Sequence, residues 1–130
     1  MPEPIFLSKR MILSFHRVLL AEFGGTQGVR DETLLDSALE TPRASYGGTY
    51  LHTSVHAQAA AYLFHLVQNH PFVDGNKRVA YAAMRVFLNI NGYRLELTQQ
   101  EKYRLVIAVA EGKMNKEDIA SRLKEATTDT

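Results

Sequence analysis

The sequence predicts an all-α domain, a compact bundle of about six helices around a central helix, with a possible small β-hairpin as a flap. Three observations carry this. Apolar residues recur at spacings of three and four through most of the chain. Capping residues stand just ahead of those stretches, at Ser8, Asp31, Thr98 and Asn115. No strand-type alternation of apolar and polar residues runs beside them.

Taken in order, Ser8 caps a first helix to about Phe23, with Ile12, Phe15, Leu19 and Leu20 as its apolar stripe. Gly24-Gly25 stops it. After a turn at Gly28, Asp31 caps a short helix through Leu34, Leu35, Ala38 and Leu39, which Thr41-Pro42 ends. Residues 43–53 are irregular, and Tyr46-Gly47-Gly48-Thr49-Tyr50 reads as the flap or hairpin. A strongly apolar helix spans 54–69, with Val55, Ala59, Tyr62, Leu63, Leu66 and Val67 inward. The next, 76–91, is apolar over much of its circumference and reads as the central core helix; Gly92 follows it as the C′ residue. Residues 93–97 form a short extended link. Thr98 and Glu101 make a capping box for a helix that stops at Gly112. Asn115 caps a last helix containing Ile119, Ala120 and Leu123, and residues 126–130 look frayed.

The 130 residues read as a single domain, 1–130, large enough to bury a core without metals or disulfides. A net charge of +1 gives no whole-surface field to attract nucleic acid or an anionic membrane, so neither is an expected partner. The absence of cysteine excludes a disulfide framework and thiolate chemistry, and suits a reducing compartment. Lys9, Arg10, His16 and Arg17 interrupt the apolar residues near the start, which argues against a secretory signal or membrane span. The expected location is cytoplasmic.

Chemistry concentrates in nine residues, His70-Pro71-Phe72-Val73-Asp74-Gly75-Asn76-Lys77-Arg78. Pro71 disfavours helix at the preceding residue, so His70 should sit just outside the helix before it. An imidazole there is a natural general base; the plain alternative is a helix-end histidine that only packs. Phe72 reads as a plug into the core. Asp74 suits Mg²⁺, which takes one or two carboxylates and fills its shell with phosphate oxygens and water; the plain alternative is an N-cap. Lys77 and Arg78 are electrostatically misplaced at a helix start unless an anion binds between them and the exposed N–H groups.

His-Pro-Phe-x-Asp-Gly-Asn-Lys-Arg resembles the signature of the Fic superfamily, and most closely its death-on-curing (Doc) toxin branch. The general signature is His-x-Phe-x-Asp/Glu-Gly-Asn-Gly-Arg-x-x-Arg. It holds at His70, Phe72, Asp74, Gly75, Asn76 and Arg78. It departs at Lys77, where a glycine is expected, and at Tyr81, where a second arginine is expected. Both departures are similar to Doc, whereas Gly75 stands where Doc has alanine.

The resemblance implies an enzyme acting on a protein hydroxyl with ATP and Mg²⁺. Fic enzymes transfer AMP; Doc transfers the terminal phosphate to a threonine of elongation factor Tu and stops translation. Carried over by position, His70 would take the hydroxyl proton, Asp74 would hold Mg²⁺, and Gly75, Asn76, Lys77 and Arg78 would bind phosphates. Gly48, Thr49 and Tyr50 of the flap would pair with an extended target segment. A Doc-like kinase is favoured because Lys77 crowds the place where Fic enzymes seat the distal phosphates and Tyr81 supplies no charge there. An adenylyltransferase and a non-catalytic anion- or peptide-binding domain are the alternatives. The self-restraining Fic helix, Ser/Thr-x-x-x-Glu-Gly/Asn, is not matched: Glu111 precedes Gly112, but Ile107 occupies the Ser/Thr position. Restraint is therefore expected from a separate, Phd-like antitoxin protein.

Other features read as ordinary. His52 and His56 lie four apart and would suit a metal on a helix, but no third ligand is placed and surface histidines are the preferred reading. His65 is expected on a helix beside the core.

Overall fold

The computed structural model describes residues 3–130. Six α-helices form in the expected order: α1 (Lys9–Phe23), α2 (Glu32–Glu40), α3 (Val55–Asn69), α4 (Asn76–Ile90), α5 (Gln99–Ala110) and α6 (Lys116–Ala126). The caps explain most of the starts. The side-chain oxygens of Ser8, Asp31, Ser54, Thr98 and Asn115 each accept from the N–H three residues on. Thr98–Glu101 closes as a reciprocal capping box, and so does Asn115–Asp118.

One continuous cluster of buried apolar side chains runs from Leu7 to Leu123. The enveloped helix is α3, in which residues 59 to 63 are all buried. Five consecutive positions point all round a helix, so neighbours must cover α3 on every side. Ala59, Ala60 and Ala61 let them come close. Helix α4 buries a stripe instead, Val79, Ala80, Ala83, Met84, Phe87 and Leu88, with Lys77, Arg78, Arg85 and Asn89 outside. The central position therefore belongs to α3, not α4: Ile90 is exposed and Val86 only half-buried, which narrows the apolar face of α4.

Two small antiparallel pairs complete the fold. Strands β1 (Ser45–Tyr46) and β2 (Thr49–Tyr50) form the hairpin, turned by Gly47 and Gly48 with φ of 59° and 83°. Two successive positive φ values make the twisted two-residue turn that suits a hairpin. Strand β3 (Tyr93–Leu95) pairs with β4 (Thr127–Asp129). The chain end is thus not frayed and residues 93–95 are not a free link. Glu96 N–H donates to the Ala126 carbonyl at 2.8 Å and Thr130 N–H to that of Gly92 at 3.0 Å, so each segment satisfies the other's backbone.

The hairpin stands far from the nine-residue motif. Tyr50 packs edge-on against Phe6, and its hydroxyl donates to Glu3 at 2.7 Å. Phe6 in turn stacks on Phe87, near the C-terminal end of α4. The motif leads into the other end of that helix, about 16 Å away along its axis.

Candidate active site

The motif loop joins α3 to α4, and residues 24–31 strap it down. Arg30 and Asp31 N–H groups both donate to the Pro71 carbonyl, at 2.7 and 3.0 Å. Val73 N–H donates to the Gly28 carbonyl at 3.1 Å, and Val29 bridges Phe72. Within the loop, Asn76 is 5% exposed; its amide oxygen accepts from Phe72 N–H and its NH₂ donates to the Phe72 carbonyl. Phe72 is fully buried, the plug its position implied. The Asn76 side chain is thus committed to closing the loop, and only its backbone N–H faces the helix start.

His70 caps the C-terminus of α3 with φ 49° and ψ 54°, just outside the helix as Pro71 implied and in the left-handed region. Among the described residues it is the only non-glycine with positive φ. Such a conformation costs on the order of 1–3 kcal/mol and persists only when its surroundings hold it. Arg30 does so: its Nε donates to the His70 carbonyl at 2.7 Å and its Nη2 to the Asn69 carbonyl at 3.0 Å. The His70 side chain is left exposed at the rim of the cavity.

Asp74 is not an N-cap. Gly75 takes that position with φ 79°, and a Cβ there would run into the Leu20 side chain. The Asp74 carboxylate accepts from Gly75 N–H at 2.9 Å and, through its other oxygen, from Thr26 N–H at 3.2 Å. An ionised carboxylate has about four lone-pair sites, so both oxygens keep acceptor capacity. That hard oxygen donor fits Mg²⁺, which asks for few protein ligands; no cluster of three acidic or histidine ligands exists among the described residues.

The cavity measures about 430 Å³ and is lined by His70, Asp74, Gly75 and the first turn of α4 on one side and by α5 on the other. No side chain caps α4, whereas every other α-helix has a side-chain cap. Its first N–H groups have no partner within the helix and open beside Lys77 and Arg78. Neither cation forms an ion pair with a described carboxylate; Arg78 lies 4.8 Å over the Phe23 ring. Tyr81 lines the cavity one turn on, and Lys102 of α5 sets its ammonium 4.5 Å over that ring. A cation from another helix therefore stands where sequence alone left Tyr81 uncharged.

His70, Asp74, Gly75, Asn76, Lys77 and Arg78 are thus brought together, while Gly48, Thr49 and Tyr50 line no part of the cavity. His52 and His56 do not converge. His56 Nε2 meets the Thr127 hydroxyl at 2.8 Å, whereas His52 and His65 both turn Nε2 to the Lys116 ammonium, at 3.2 and 3.0 Å. Burial and then the Lys116 charge push His65 down to about 4, and the same causes lower His52.

A loop held between two helices thus gathers a histidine, a carboxylate and an uncapped cationic helix start around one cavity. Residues 6–88 match the sequence model of the Fic/DOC family, and the chain belongs to it. Toxin Doc of Mycolicibacterium smegmatis is 48% identical over 73 residues, 56% of this chain and 56% of that protein. The match thus spans little more than half of that relative. The family match ends inside α4, so the α5 wall of the cavity, with Lys102, lies beyond it.

Proposed function

We propose that the chain is a protein-modifying transferase that moves the terminal phosphoryl group of ATP to a Thr or Ser hydroxyl of a translation protein, with elongation factor Tu as the candidate. It would act as the toxin of a toxin–antitoxin pair restrained by a Phd-like partner. The observation that carries this reading is the uncapped start of α4, lining one cavity with His70 and Asp74.

His70 would take the hydroxyl proton as the oxygen bonds to phosphorus, while the bond from that phosphorus to the leaving oxygen breaks and ADP departs. The N–H groups of residues 76–78, with Lys77 and Arg78, would hold phosphate oxygens and meet the charge that develops on them. Asp74 would hold Mg²⁺, which when bound neutralises phosphate charge.

AMP transfer is the second reading, and Lys102 favours it by restoring a cation beside Tyr81. Lys77 favours phosphoryl transfer, since its side chain occupies the place of the glycine that leaves room for distal phosphates. Mass spectrometry of a lysate protein modified by the purified chain decides between them. A phosphoryl adduct on Thr or Ser supports the first reading; an AMP adduct overturns it in favour of the second.

A further inference from the structure

A second histidine lies beneath the motif. His16 of α1 is 4% exposed and sits between Ile12 and Leu20 on the buried face. Its ring stacks on Phe72, centroids 3.9 Å apart and planes 10° from parallel. Its Nε2 is 2.9 Å from the backbone carbonyl oxygen of Asp74. A carbonyl oxygen only accepts, so Nε2 carries the hydrogen.

That carbonyl is one edge of a peptide unit whose other edge is the Gly75 N–H, and Gly75 N–H donates to the Asp74 carboxylate at 2.9 Å. The unit is planar and trans, so fixing its oxygen also fixes the direction of its N–H. The N–H in turn holds the carboxylate. We propose that His16 is a positioning residue: by donating to the Asp74 carbonyl it sets the direction of the Asp74 carboxylate in the cavity. This rests on the reading of Asp74 as the metal-holding group. A histidine that only filled space would be replaced without loss by phenylalanine, which keeps the stack on Phe72.

The test uses the full chain and Mn²⁺ alone, with no ATP or target, followed by paramagnetic broadening of the Asp74 and Gly75 amide signals. His16→Phe keeps the ring and loses the donor; His16→Gln places an N–H at similar reach. His16→Phe should need about fivefold to tenfold more Mn²⁺, the loss of one net hydrogen bond, and His16→Gln should bind as the parent does. Equal Mn²⁺ binding by parent and His16→Phe overturns the proposal, as does a His16→Gln variant no better than His16→Phe. Should His16→Phe fail to fold, the parent still decides, because its ¹⁵N spectrum must show His16 as the Nε2–H tautomer; the Nδ1–H tautomer overturns the proposal. No broadening at Asp74 in the parent would refute the metal-holding reading itself, and this inference with it.

Discussion

The two ends of the α3–α4 pair are built on opposite terms. At the motif end, the loop is held by strap residues 24–31, the Asn76 bracket and the Arg30 cap, and its one left-handed non-glycine residue is the candidate base. At the other end, the hairpin is two residues per strand, anchored through Tyr50, with Tyr46 84% exposed. The difference matches the proposed roles: proton and phosphoryl transfer would need fixed groups, whereas strand pairing with a target would need an open edge. On this account a target would dock at the hairpin and reach from there to the motif end of the helix pair.

The largest break in that comparison comes from His70→Ala. It should leave the fold intact, since the side chain is exposed, and lower transfer by roughly 10²- to 10⁴-fold. Circular dichroism and the transfer rate check both halves. An unimpaired, folded His70→Ala protein would remove the base assignment.

Arg30→Ala sharpens the point, because the hydrogen bonds of the Arg30 side chain go to the backbone carbonyls of residues 69 and 70. Without it the left-handed His70 loses its support, and transfer should fall roughly tenfold, with the midpoint of unfolding changed much less. Arg30→Lys should rescue little, since an ammonium lacks the planar fork that spans two carbonyls. Equal losses of activity and stability would make Arg30 a purely structural cap.

At the opposite end, Thr49→Pro removes an N–H from the hairpin. Target modification should fall by a smaller factor, on the order of a few-fold, with ATP affinity unchanged. Calorimetry of ATP binding beside the transfer rate distinguishes the two. Parallel losses would place the hairpin in nucleotide binding.

The smallest effect lies between the ends, where α6 meets α3. His65, pushed from an ordinary 6.5 down to about 4 by burial and then by Lys116, stays neutral when folded. The unfolded chain takes its proton first, so stability should fall as pH drops from about 6.5 toward 4. His65→Gln should flatten that fall by a few degrees or less in Tm. An unchanged slope would show that His65 is not the group responsible.

Much of the fold was legible because helix starts are local. Ser8, Asp31, Thr98 and Asn115 each hold an N–H three residues away, well within what a short stretch encodes. The motif was legible for the same reason, its groups lying within nine residues. What escaped depends on contacts between distant positions. The pairing of residues 93–95 with 127–129 spans more than thirty residues and leaves only a weak mark, two threonines suited to a strand. The strap and Arg30 reach the loop from some forty residues away. His16 alone left a signal that could have been used: a histidine four residues from Ile12 and from Leu20 falls on a buried stripe, where a polar group needs a partner. Lys102 left none, since nothing local ties an α5 cation to the Tyr81 ring.

The most direct test of the central claim, that the nucleotide belongs to the motif end alone, is amide chemical-shift mapping with Mg²⁺ and a non-hydrolysable ATP analogue. The account predicts that perturbations gather at residues 75–78 and along the α5 wall from Gln99 to Ile107, with Ser45 to Tyr50 silent. Perturbations centred on the hairpin, or on His52, His65 and Lys116, would contradict it.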